Sequence, residues 1–238
     1  MGQKKLIRFA EIKTFSNVLQ FPQGMKGKWQ IFFENQNPLT LELACGKGEY
    51  ALGLGALHPQ NNYLGVDLKG NRLWVGAKKA IQQQLKNVAF LRTQIDKIND
   101  YFAVDEVSEI WITFPDPQLR LSKAKKRLTH PKFLRMYQQF LKPGGLIHLK
   151  TDSPDLYQFT KLVCQLYGCN VFEDFDDLKN QSAISDELKI ETHYEKLDIS
   201  QSNRIHYISF SLPTIIAGKE KDEELKLILN GNQESATH

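Results

Sequence analysis

A doubly wound α/β fold, with a mostly parallel sheet and an antiparallel hairpin at its C-terminal edge, is predicted by three features of this 238-residue sequence. Five short, nearly continuous apolar runs alternate with helix-like stretches, as strands do when helices cover both faces of their sheet. A glycine-rich turn, "ACGKGE", directly follows the first of these runs. The last run, 205–212, instead alternates apolar and polar residues, as an edge strand does. With 41% hydrophobic and 24% charged residues, the chain is long enough to pack one such domain around its own core.

In chain order, residues 1–33 read as a basic arm, with Lys4, Lys5, Arg8, Lys13, Lys26 and Lys28 against Glu11 alone. The domain proper is expected over 34–216. Its strands are "LTLELA" (39–44), "NYLGVDL" (62–68), "VAFLR" (88–92), "VSEIWITF" (107–114) and "LIHLKTD" (146–152). Helices are expected near 49–57, 70–85 and 131–141, with a weaker one near 96–103 and another after Pro154. A polar stretch, 179–204, leads into "IHYISFSL" and Pro213, the edge hairpin. Residues 217–238 read as a polar tail, poorly ordered apart from one short amphipathic helix at 220–229.

No apolar run has the length of a bilayer span and the N-terminus has no signal-peptide core, so a cytoplasmic, non-membrane protein is expected. Cys45, Cys164 and Cys169 are odd in number and lack metal-ligand spacing, as do His58, His130, His148, His193, His206 and His238. Reduced thiols and no bound metal are expected. Trp29, Trp74 and Trp111 read as packing residues. Charge is distributed very unevenly. Residues 117–151 hold nine Lys/Arg and no acid, so the rest of the chain is net acidic although the total is +4. Arg120, Lys123, Lys125, Lys126, Arg127, Lys132, Arg135, Lys142 and Lys150 make up this block, which suits a polyanionic partner.

In a doubly wound sheet the ligand lies across the carboxyl ends of the strands. There, Gly46 and Gly48 allow a tight turn and close backbone approach to a ligand. With Ala51 they also match a dinucleotide fingerprint, which keeps an NAD-dependent oxidoreductase among the readings. Glu42 argues for a different ligand, because a carboxylate facing the loop repels pyrophosphate and attracts a cation. S-adenosylmethionine carries a sulfonium and an ammonium. Asp67 ends the next strand, where an acid can accept ribose hydroxyls, and Asp96 follows the third, where it can hold an adenine amino group. After the fourth strand, "ITFPDP" fixes Asp116 between Pro115 and Pro117, immediately before the basic block.

Taken in order, "LELACGKG", "GVDLKGNRLWVGAKKA", "FPDP" with its Lys/Arg-rich sequel, "LKPGGLIHLKTD" and "THYE" resemble the bacterial tRNA (guanine-N7-)-methyltransferases over about residues 40–212. The resemblance implies a Rossmann-like class I methyltransferase fold, S-adenosyl-L-methionine as donor, and the variable-loop guanine of tRNA (position 46 in tRNA numbering) as acceptor. It implies cofactor contacts at Glu42, Asp67, Asp96 and Asp116 beside the Gly46 and Gly48 turn. Substrate contacts would come from Arg120, Asp152, Thr192, His193, Tyr194 and Glu195, and phosphate contacts from Lys123, Lys125, Lys126 and Arg127. Three positions depart from the family pattern: Ala44 for a usual glycine, Gln118 for a tryptophan after "PDP", and Arg120 for a lysine. A methyltransferase acting on a small molecule or protein remains the alternative, and under either reading a monomer or homodimer is expected.

Guanine N7 has an in-plane lone pair, so its methylation removes no proton and needs no general base. The expected task is positioning. Asp116 can accept from guanine N1–H and the 2-amino group and offset the charge the ring acquires, which makes it the candidate catalytic residue.

Overall fold

The computed structural model describes residues 2–197 and 203–236; residues 198–202 of the polar stretch and 237–238 of the tail lie outside the described residues. Eight strands form one sheet: β1 Val18–Gln20, β2 Leu39–Leu43, β3 Asn62–Asp67, β4 Val88–Arg92, β5 Val107–Thr113, β6 Leu141–Thr151, β7 Asn170–Phe175 and β8 His206–Ser211. The helices are α1 Gly2–Glu11, α2 Trp29–Phe33, α3 Glu49–Leu57, α4 Gly70–Gln82, α5 Pro131–Tyr137, α6 Pro154–Tyr167 and α7 Lys219–Ala236. The strand order is β1-β4-β3-β2-β5-β6-β8-β7. All pairings are parallel as far as β6, and the β6–β8 and β8–β7 pairings are antiparallel. The winding direction reverses between β2 and β5, which opens a crevice at their carboxyl ends.

Apolar runs become strands here because both faces of the sheet are covered. On β5, Ile110 and Ile112 enter one core with Trp29, Leu41, Leu43 and Phe210, while Trp111 enters the other with Tyr50, Leu54, Phe90 and Tyr207. Trp111 stacks on His148, its register partner on β6, at 4.0 Å between ring centroids. It is a packing residue, as expected.

Four regions differ from the sequence-based expectation. The 205–212 run is not the edge strand: β8 lies between β6 and β7 with every residue buried, and β7, unforeseen as a strand, takes the edge. The N-terminal arm is built into the domain: β1 extends the sheet beside β4, and Ile12 and Trp29 are each 1% exposed. The stretch near 96–103 is a short 3-10 helix, Ile95–Asp100. The tail is an 18-residue helix, α7, with Leu225 buried and Asp222 accepting from Arg135 and from the Tyr167 hydroxyl. Leu225, the partly buried Leu229 and polar contacts from α5 and α6 hold a helix whose outward composition resembles a solvated tail.

The turn after β2 is shaped by one aromatic ring. Phe90, on β4, occupies the space that side chains at Gly48, Gly65 and Gly76 would need. A Cβ would lie 2.3 Å from the ring at Gly48 and 2.8 Å from it at Gly65. At Gly76 a Cβ would also meet the Lys47 carbonyl at 2.3 Å, so α4 abuts the backbone of the glycine turn. Gly76→Ala should therefore destabilise the fold by about 1–3 kcal/mol, because the obstacle is main chain as well as a packed ring. Gly218→Ala, where no atom lies within 4 Å of the new Cβ, should leave the urea midpoint near the parent's.

Candidate active site

Glu42 organises the first loop, though not as a free charge facing the cleft. It is 3% exposed and lines neither cavity at the strand ends. Its Oε2 accepts from the Ala51 amide at 2.8 Å, and its Oε1 accepts from the Thr113 hydroxyl at 3.2 Å. The α3 N-cap is Gly48, which has no side chain to satisfy the first-turn amides, so the carboxylate of the neighbouring strand does so. Burial raises the Glu42 carboxyl to about 8, against the smaller opposing effect of those hydrogen bonds. The expectation that it offers negative charge to a cationic ligand is corrected to a cap that ties β2, β5 and α3 together.

Asp67 is the acid that does reach the crevice. Its Oδ2 accepts from Gly46 N at 3.0 Å and its Oδ1 from Lys69 N at 2.8 Å. Ala44, Gly46 and Gly48 all have positive φ, at 55°, 57° and 66°. The turn is left-handed even at alanine, where the Asp67 and Val66 contacts of the next residues hold it.

Two cavities meet at Ala44 and Asp67. One, of about 670 Å³, runs along Thr93, Gln94, Ile95 and Asp96 to Lys132, whose ammonium pairs with Asp96. The other, of about 730 Å³, is lined by Arg72, Phe114, Asp116, Asp152 and Tyr194, among others. A third, of about 570 Å³ between the 121–126 turn and α7, lies away from the β2/β5 crevice. The exposed Asp116 carboxylate also accepts from Gln118 N at 3.0 Å, and the proline turn is bracketed by Phe114 at φ 46° and Gln118 at φ 49°. Two left-handed non-glycine residues in five positions are a sizeable local strain, on the order of 1–3 kcal/mol each. The chain accepts it to turn this carboxylate into the cavity.

The "THYE" residues have separate roles. Thr192 is buried and its hydroxyl accepts from Glu195 N at 3.1 Å. His193 is exposed, with its amide donated to Glu49 at 2.8 Å. Glu195 pairs with Lys150 at 2.9 Å. Only Tyr194 lines the cavity, beneath the Arg72 guanidinium at 5.6 Å from the ring centroid.

The basic block also divides. Lys123, Lys125 and Lys126 are exposed on the short 3-10 turn Leu121–Lys126, and Arg120 is exposed at its start, outside both cavity linings. Arg127 is 5% exposed, donates to the Gln118 carbonyl and lies 4.5 Å over Phe159. This corrects its expected phosphate contact: Arg127 fastens the loop from inside. Lys150 is likewise buried. Lys69 and Arg72, at the start of α4, supply positive charge at the cavity that the reading of the basic block missed. The signal was their place directly after Asp67 at a strand end. Among the described residues, no group of three or more His, Cys, Asp or Glu side chains could hold a metal ion, and no helix is long and apolar enough to cross a membrane.

A family model described as "Putative methyltransferase" matches residues 36–208. The chain is 44% identical over 236 residues to the tRNA (guanine-N(7)-)-methyltransferase of Bacteroides thetaiotaomicron, covering 95% of this chain and 93% of that protein. It is 46% identical over 213 residues to the Porphyromonas gingivalis protein of the same name, covering 84% and 86%. Among solved structures, the 16S rRNA methyltransferase KamB superposes with a TM-score of 0.59 at 13% identity, covering 80% of this chain and 96% of that one. A SAM-dependent methyltransferase from Aquifex aeolicus gives 0.51 at 14% identity, covering 85% and 88%. These two likenesses bear on the fold alone.

The state of Glu42 has a measurable consequence. Its folded-state value, about 8, lies above the unfolded value near 4.5, so the folded protein holds the extra proton. The contribution of Glu42 to stability should then be fully present below the unfolded value and fall by a few kcal/mol as pH rises from about 5 to 8. Glu42→Gln keeps an acceptor but cannot titrate. Urea denaturation across this range should show a flatter profile for the variant than for the parent; identical slopes would mean that another group sets the pH dependence.

Proposed function

This chain belongs to the tRNA (guanine-N(7)-)-methyltransferase family, and on that premise we propose that it transfers a methyl group from S-adenosylmethionine to N7 of guanine in tRNA, the variable-loop guanine being the acceptor. The observation that carries the reading is the 730 Å³ cavity at the β2/β5 switch point, where Asp67, Asp116 and Asp152 meet, opening onto the 670 Å³ cavity lined by Lys125 and Lys126. The residues present fit the cofactor. The left-handed Gly46 leaves the backbone open for close approach, and Asp67 and Asp96 stand along one continuous path of cavity suited to a nucleoside. When bound, the cofactor supplies the electrophilic methyl group.

In this reading Asp67 accepts from ribose hydroxyls and Asp96 faces the adenine end. Asp116 keeps one oxygen on the Gln118 amide and presents the other to guanine N1–H and the 2-amino group, a donor pair that adenine and the pyrimidines lack. Its charge also offsets the charge developing on the methylated ring. Asp152, at the end of β6, and Tyr194 complete the walls. Lys123, Lys125 and Lys126 contact phosphates, which sets register without reading sequence. The target base must leave its stack to enter, and a structured loop resists this less than a duplex. Glu42 acts from beneath by holding the glycine turn, and Arg127 by holding the 118–127 loop.

The direct test is transfer of labelled methyl groups to unmodified tRNA with nucleoside analysis of the product: label confined to 7-methylguanosine supports the reading, and label elsewhere, or none, rejects it. Asp116→Ala should lower single-turnover transfer by roughly 10²-fold while leaving S-adenosylhomocysteine affinity nearly unchanged, the scale of losing one preorganised electrostatic group. Asp116→Asn should also be poor, because its NH₂ would face guanine donors. An alanine variant within a few-fold of the parent would make the proline turn purely structural.

Replacing Lys123, Lys125 and Lys126 with alanine should weaken tRNA binding and reduce the log–log salt slope by about one unit for each phosphate that is no longer neutralised. An unchanged slope would show that these lysines only solvate the turn.

A further inference from the structure

Lys150 has an unusual setting for a lysine. It lies on β6, two residues before Asp152, and is 1% exposed. Its ammonium donates to the carbonyls of Leu188 and Ile190 at 2.9 and 3.0 Å and to Glu195 Oε2 at 2.9 Å. Tyr50 and Phe114 surround it, with ring centroids 5.5 and 5.9 Å away. An ammonium is rarely taken out of water without full compensation, and here all three of its protons have acceptors on a single chain segment.

That segment runs back along α3 as a strap. At the helix C-terminus His58 and Glu187 meet at 2.6 Å. In the middle, Ile190 fills the space above Gly53, where a Cβ would approach it to 2.9 Å. At the helix N-terminus Glu49 accepts from the His193 amide. Tyr194 follows, with its ring 3.8 Å from where a Gly46 side chain would begin, against the cofactor turn and inside the substrate cavity.

We propose that Lys150 is a positioning residue for methyl transfer, holding the 188–195 strap so that Tyr194 walls the substrate cavity beside Asp116 and Asp152. Lys150 itself lines neither cavity; its main-chain carbonyl accepts from the amide of Phe114, a lining residue, at 2.8 Å, and its ammonium acts through the strap. Glu195 is then its counter-ion and not a ligand contact. The inference deepens the proposed activity and rests on it for its kinetic arm. Desolvation lowers the Lys150 pKa, with Glu195 opposing, which fits an ammonium kept charged by its partners inside a dry site.

The experiment compares the full chain with Lys150→Met, Lys150→Arg and Tyr194→Ala. Hydrogen exchange should rise over 188–195 in Lys150→Met and stay as in the parent in β2–β6. Methyl transfer to tRNA should fall by roughly 10²-fold in kcat/KM, the effect of a misplaced wall, with S-adenosylhomocysteine affinity within a few-fold. Lys150→Arg, which keeps charge and donors, should recover much of both readouts. Tyr194→Ala should reproduce the kinetic loss with the lower strap still protected. A Lys150→Met protein with parental exchange over 188–195, or with loosened exchange but parental kinetics, overturns the proposal. Should Lys150→Met not fold, Glu195→Gln decides: faster strap exchange supports the anchor and unchanged exchange rejects it. A parent that methylates no tRNA guanine would sink the proposed function while the exchange measurements still decide the role of Lys150 as anchor.

Discussion

The site depends on a carboxylate that never reaches it. Glu42 bridges the first turn of α3 and the end of β5 from a position on β2, the strand between β3 and β5. A helix that begins at a glycine has amides with no local acceptor, and burying them unsatisfied would be costly. By capping them from the sheet, Glu42 fixes the angle at which α3 leaves the turn and so the course of 44–48. Phe90 fixes the same turn from the other side, since α4 and the turn can close on its ring only where glycine stands. A polar cap and an apolar wedge together hold a left-handed backbone that the sequence alone would not adopt at Ala44.

This division recurs across the molecule. Ionisable residues near the site either face the crevice or hold its walls in place. Asp67, Asp116 and Asp152 face it; Glu42, Glu195, Lys150 and Arg127 hold it. The second group is largely buried, and each member has its partners on a different segment from its own. Burial raises the electrostatic cost of a charge and the cost of removing its partner together. Such groups therefore fix segments relative to one another more firmly than exposed pairs of the same chemistry, such as Lys189–Asp186 at the surface.

Where the sequence was legible, periodicity and turn chemistry carried the reading. α3 at 49–57 and the strands at 62–67, 88–92 and 107–113 follow the apolar runs, and Asp116 could be picked out because two prolines and a basic block flank it. What was not legible depended on long-range contact. The 18–20 stretch has three residues and becomes a strand only because β4 offers an unpaired parallel edge. α7 looks like a solvated tail because only a few of its side chains, Asp222, Leu225 and Leu229 among them, dock it. The nine basic residues of 117–151 read as a single patch because a charge count carries no information on side-chain direction. Lys150 is buried on β6 while Lys142, on the same strand, is exposed, yet nothing in the local pattern separates the two.

For a reaction that removes no proton, this arrangement is what the chemistry requires. Guanine N7 is nucleophilic without activation, so rate depends on holding base and methyl donor in line and on charge complementarity as the ring becomes cationic. Neither asks for a perturbed titrating group in the cleft. The raised carboxyl value belongs instead to Glu42 in the scaffold, and the lowered lysine to Lys150 beneath the strap. Strongly shifted groups in a cleft usually mark acid–base catalysts. Here the shifted groups mark the supports, in keeping with a site whose work is geometric and whose precision comes from buried polar groups that cannot move without unfolding the segments they join.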